Sequence, residues 1–213
     1  MLATIIFDEP QTVDARLAAL DLDRRVLTDA LVQAHMYFAR LTSHHPLLFR
    51  YGVLTAETVA ALRDFLAPRG WEVRNEGNYE LVFNPKLNMS IAVASGNEAT
   101  GDRLRVPSNK SEKGPRTAKA VQDNQTADLF PETVPAAPEG VVPTDTWILL
   151  HHRCASAIRL ELSRPNGFDD TERFVTGWSE RILLSAISLD NDPMPMSMPQ
   201  IPEDDIVVTR KAA

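Results

Sequence analysis

Cysteine occurs once in the 213 residues, in the run His151-His152-Arg153-Cys154. On a strand, residues two apart share a face, so His152 and Cys154 stand side by side. An imidazole next to a thiol lowers the thiol pKa and supplies a base, which makes a nucleophile. His152 and Cys154 are therefore the candidate catalytic pair. No third group that would orient the imidazole is visible. The competing reading is a strand end whose histidines meet solvent or a neighbouring carbonyl.

The pairs His44-His45 and His151-His152 could meet in space around a metal with a carboxylate. Zinc sites favour histidines three to five residues apart, and adjacent residues cannot both face one ion. His35 sits inside a helical pattern and reads as packed or surface. One cysteine excludes an intrachain disulfide and a cysteine zinc knuckle. No metal and no cofactor is expected.

Ser95-Gly-Asn-Glu-Ala-Thr-Gly101 follows a strand, as phosphate-binding loops do. It lacks the Gly-Lys-Ser/Thr ending and the dinucleotide glycine spacing. Glu98 would also repel an anion. A plain strand exit is the stronger reading.

Charge offers a different chemistry. The chain carries a formal net charge of −7, which does not suit a general nucleic-acid coat. Yet Arg103, Arg105, Lys110, Lys113, Arg116 and Lys119 cluster, opposed within that stretch only by Asp102 and Glu112. Such a segment can neutralise phosphates in a salt-dependent way, or dock onto an acidic protein or the chain's own acidic body. No aromatic residue interleaves it, so it would not stack on bases. These six residues are the candidate contacts to nucleic acid or another partner.

The elements that must position these groups follow from periodicity. Residues 2–7 read as a short strand. Residues 22–43 carry a helical stripe, capped by Asp21 or Asp23 and ended before Pro46. A second helix starts at Thr55 as N-cap, with Val59, Leu62, Phe65 and Leu66 as its stripe, and stops at Pro68 and Gly70. Trp71 to Ser95 reads as a β-meander with turns at 75–78 and 84–88. Its last strand is apolar on both faces, hence central in its sheet.

Residues 96–143 are rich in Gly, Pro, Ser, Thr, Asn, Asp and Lys and poor in large apolar side chains. They read as a flexible basic insertion, with one helical turn at 119–123 capped by Thr117. Thr146 to His152 and 158–162 form a hairpin through 154–157. The second strand alternates, with Arg159, Glu161 and Ser163 facing solvent. Asp170 to Leu189 fits a helix or a strand. Trp178 would mark a surface site if exposed. Residues 190–203 form a Pro/Met-rich extended connector, and 206–209 a last edge strand.

The fold class is α+β: N-terminal helices packed on an antiparallel sheet, with a long disordered insertion, in one domain over 1–213. No run is long and apolar enough to span a bilayer, and no signal peptide is visible. One cysteine and 17 arginines against 5 lysines suggest a cytoplasmic bacterial protein. The functional expectation is an accessory or binding protein without catalysis, engaging a macromolecule, protein or nucleic acid, through the insertion. The alternative is an enzyme of unrecognised type using Cys154 with His152. A homo-oligomer is open; a membrane partner is not expected.

Overall fold

A computed structural model describes residues 3–129, 144–171 and 173–189. The expected connector at 190–203 and the strand at 206–209 lie outside the described residues. In chain order the elements are β1 (Ile5–Phe7), α1 (Pro10–Ala19), α2 (Arg24–Ala39), α3 (Leu47–Leu66), β2 (Glu72–Glu76), β3 (Tyr79–Asn84) and β4 (Met89–Ser95). Then come α4 (Pro115–Leu129), β5 (Asp145–Arg153), β6 (Ala157–Asp169) and β7 (Phe174–Ser188). The strands form one seven-stranded sheet in the order β1-β7-β6-β5-β4-β3-β2. The architecture is α+β, with three helices at the N-terminus.

Several local expectations hold for simple reasons. Asp23 caps α2, its carboxylate accepting from Val26 N at 2.9 Å. Pro46 separates α2 from α3 and stands at the N-cap of α3. The meander 72–95 pairs as an antiparallel set. Strand β4 lies between β3 and β5, with Ile91 in one core and Ala92 and Ala94 in the other.

Other expectations are corrected. The sheet is mixed, because β4 pairs with β5 in parallel, as β1 does with β7. A parallel pair needs a crossover connection, and the 96–143 stretch supplies it, carrying α4. Residues 115–129 form a full helix rather than one turn. Helix α1 fills the segment after Pro10, with the proline in its first turn, where a missing N–H costs nothing. Thr55 is no cap: α3 begins eight residues earlier, at Leu47. Of the two readings left open for 170–189, the strand is the one formed, over Phe174–Ser188, and Trp178 is buried in it.

Two cores sandwich the sheet. The larger joins α1, α2 and α3 to Val82, Met89, Ile91, Trp147, Leu149 and the inward residues of β6 and β7. The smaller, around Leu81, Ala92, Ile148, Leu150, Val175 and Trp178, lies on the opposite face. Helix α4 packs against β5 and β6. At the outer edge, β2 carries exposed Glu72 and Glu76 around a half-exposed Arg74, charges that discourage edge-to-edge pairing.

The long β6–β7 hairpin changes register repeatedly between Arg164 and Phe168. There Gly167 lies opposite Gly177, and a Cβ on Gly167 would stand 2.8 Å from Gly177 N. Replacing Gly167 by Val forces the two backbones apart. The expected cost is about 1–3 kcal/mol, typical of overpacking, read as a lower urea midpoint with an unchanged m-value.

Candidate functional site

The first part of the 96–143 stretch is ordered by polar bonds rather than apolar burial. Its fastening point is an ion pair inside the sheet's second face. Glu161 on β6 and Arg181 on β7 are both buried. Arg181 Nη2 donates to Glu161 Oε2 at 2.7 Å and Nε donates to Oε1 at 3.1 Å. Ser163 Oγ donates to Oε1 at 2.7 Å, and the Gly101 amide donates to Oε2 at 2.8 Å. The remaining guanidinium donors reach the loop: Nη1 to the Arg105 carbonyl at 2.8 Å and Nη2 to the Asp102 carbonyl at 2.9 Å. Thus the pair is bonded on all sides, as buried charges must be. Glu161 and Ser163 do not face solvent as their alternation predicts, because residues 96–110 cover that face of β6.

Further bonds continue the fastening. The Trp178 indole donates to the Pro107 carbonyl at 2.8 Å. Ser108 Oγ donates to the Val175 carbonyl at 2.7 Å, and Val175 N donates to Asn109 Oδ1 at 2.7 Å. Lys110 N donates to the Ser95 carbonyl at 2.8 Å. Helix α4 is held by Asn124, which donates to the carbonyls of Thr146 and Pro165 and accepts from Thr146 N. Arg164 links Asp128 of α4 to Asp145 of β5.

Residues 96–102 form no phosphate cradle. The amides of Gly96, Asn97, Ala99, Thr100, Gly101 and Asp102 all donate within the protein.

The six basic candidates do not gather into one patch of unpaired charge. Arg103 pairs with Asp8 at 2.6 Å and Arg105 with Asp102 at 2.7 Å. Arg116 pairs with Glu76 at 3.4 Å and Lys119 with Asp123 at 2.6 Å. Lys110 is exposed, while Lys113 is half-buried, and desolvation lowers its pKa. Between the anchors, Arg103, Leu104, Arg105 and Val106 project outward. Leu104 is 91% exposed and Val106 66%.

His152 and Cys154 direct their hydrogen bonds to backbone carbonyls. His152 Nδ1 lies 3.1 Å from the Gly96 carbonyl, and Cys154 Sγ donates to the Ala157 carbonyl at 3.2 Å. Burial pushes the Cys154 thiol up, but backbone donors at Ala157 and Ser156 outweigh it and hold the thiol below its ordinary value. Among the described residues, no three His, Cys, Asp or Glu side chains come together as a metal-binding group.

Sequence reasoning missed a third constellation. Ser95 and His151 are register partners at the carboxyl ends of the parallel strands β4 and β5. Thr55 of α3 reaches both, its Oγ1 lying 2.9 Å from His151 Nε2 and 3.3 Å from Ser95 Oγ. Burial, then the charges of Lys113 and His152, push His151 down to about 4. A neutral imidazole can accept from Thr55, but it is too weak a base to activate that hydroxyl at pH 7. The cluster ties α3 to the sheet; nothing in the sequence linked position 55 to position 151.

Two outcomes test this geometry. Arg181→Met strands a buried carboxylate and should cost about 3–5 kcal/mol. The double variant with Glu161→Leu should cost less than the sum of the single changes in urea unfolding. For His151, the unfolded chain takes up its proton near 6.5, before the folded one does at about 4. The stability it contributes is complete above pH 6.5 and is lost as pH falls toward 4. Over that window the loss is on the order of 3 kcal/mol. His151→Gln should flatten the dependence, and the NMR shifts of the His151 imidazole should stay constant from pH 7 to 5.

No family model, no curated protein and no solved structure matches this chain.

Proposed function

We propose that the chain is a non-catalytic binding protein whose partner is another protein, engaged through the tip of the 102–107 loop. One observation carries this reading. Leu104 is the most exposed large apolar side chain among the described residues and Val106 the third, after Leu48, and both project from a backbone held at both ends by buried groups. Contiguous apolar surface left in water marks a contact site, and Leu104 and Val106 lie two residues apart on this tip. A loop already fixed in its binding shape loses little entropy on association, which raises affinity for a given area. Arg103 and Arg105 flank the apolar pair and would favour an acidic rim on the partner.

Nucleic acid fits this geometry less well. Four of the six basic side chains already face carboxylates, so each phosphate contact would compete with an existing ion pair. An accessory role in a bacterial cytoplasm agrees with the arginine-rich composition and lone cysteine. The alternative enzyme reading, Cys154 as nucleophile with His152 as base, is favoured by the lowered thiol pKa alone.

The experiment compares the wild-type chain with Leu104→Asp/Val106→Asp. A tagged chain isolated from its native host should retain a stoichiometric protein partner, and the double variant should release it with an unchanged unfolding midpoint. Identical recovery by both forms would sink the loop as the contact. Fluorescence anisotropy on mixed-sequence DNA and RNA at low salt gives the second arm. Tight binding that is lost with rising salt and abolished by Lys110→Glu/Lys113→Glu would replace the protein partner with nucleic acid.

A further inference from the structure

A second exposed apolar surface lies far along the chain from the loop. Seven of the twelve exposed large hydrophobic residues among the described residues belong to α2 and α3: Val32, Met36, Tyr37, Leu47, Leu48, Phe49 and Tyr51. The two helices pack against each other and join through a short turn at 40–46. The C-terminal end of α2 and the N-terminal end of α3 therefore form one tip. Leu48 is 74% exposed there, Tyr51 53% and Phe49 50%.

The composition of this tip differs from the rest of the chain. From residue 30 to residue 56 there is no Asp, Glu or Lys, in a protein of net charge −7. The charged residues present are Arg40 and Arg50, beside His35, His44 and His45. Aromatic residues, Met and Arg, with Lys, Asp and Glu absent, are the composition of a protein interface core. Two arginines are too few for an anionic membrane surface, which calls for a cluster of four or more basic residues.

Gly52 adds a geometric clue. A glycine inside an exposed helix costs about 1 kcal/mol against alanine, so its presence asks for a packing reason. Within the chain there is none, since beyond the helix's own adjacent backbone nothing lies within 4 Å of where its Cβ would be. One turn on, Ala56 is also small and exposed. What fits this space is a closely approaching backbone from outside the chain.

We infer that this surface is the interface of a homodimer, in which α3 crosses α3 of a second copy antiparallel near Gly52. The self-complementarity of α3 favours a second copy over another partner. Its N-terminal half carries Arg50 and follows the turn with Arg40, whereas its C-terminal half carries half-buried Glu57 and exposed Asp64, its one base, Arg63, being paired with Glu80. A two-fold axis at Gly52 brings each basic end toward an acidic end. It also sets Leu48 against Ala56 of the partner subunit, a large side chain over a small one. The contact is isologous and closes, so it stops at two copies.

Sedimentation velocity of the full chain at about 1–100 μM tests this, the range in which a modest interface is populated. A dimer is expected at the upper end. Leu48→Asp should raise the dissociation constant at least tenfold. Gly52→Leu should do the same while keeping or raising the unfolding midpoint, because position 52 has room and leucine is the better helix former. Leu104→Asp should leave dimerisation unchanged. A monomer at every concentration would overturn the inference. So would a dimer that neither Leu48→Asp nor Gly52→Leu weakens, since it would use another face.

Discussion

The buried pair Glu161–Arg181 is the constraint on which the second face of the sheet depends. Two charges withdrawn from water are tolerable only when every lone pair and every proton has a partner. Strand β6 itself supplies Ser163, but that leaves donors and acceptors unmet. The loop after β4 completes the set, with the Gly101 amide as donor and the carbonyls of Asp102 and Arg105 as acceptors. The dependence is mutual. Without the loop the ion pair would be stranded; without the ion pair the loop would lose its charged anchor at residues 101–105 and keep only the bonds made by residues 107–110.

This mutual requirement explains why the two faces of one sheet are built so differently. Toward α1, α2 and α3 the face is apolar and continuous, and its helices dock by burial of Leu and Val. Toward the loop and α4, a small apolar core is bordered by polar fastenings: Glu161 and Arg181 near one end, Asn124 and Arg164 under α4. Apolar contact is non-directional and tolerates sliding, whereas hydrogen bonds fix position. The polar face can therefore hold a glycine- and proline-rich segment in one shape, which apolar packing of so few side chains could not.

The legible and illegible parts of the fold divide along the same line. The stripe of α2, its Asp23 cap, the meander and the two-faced β4 are written in local periodicity, and local periodicity is what a single chain displays. Glu161 and Ser163 alternate with Leu160 and Leu162 just as a solvent-facing row does. Only the cover provided by residues 96–110, some fifty positions earlier, reverses their burial, and no spacing rule carries that information. The same holds for Thr55, Ser95 and His151, which meet from α3, β4 and β5. The order of residues 96–129 was hidden because composition measures apolar burial alone, and here polar satisfaction supplies the ordering.

Helix α3 couples this framework to the exposed surfaces. Its C-terminal half is sealed into the core, with Leu62 and Leu66 fully buried, while its N-terminal half extends with Leu47, Leu48, Phe49 and Tyr51 in solvent. The contact of Thr55 with His151 and Ser95 marks the passage between the two halves. An uncovered half-helix is marginal alone, since most helical stability in proteins comes from packing of a face. Here the buried half supplies the nucleus from which the exposed half propagates. The loop tip at Leu104 follows the same logic by other means, its exposed residues carried on a backbone anchored beneath. In both places the uncovered residues stand on a backbone fastened beneath them, an arrangement that would lose little further entropy on meeting a partner.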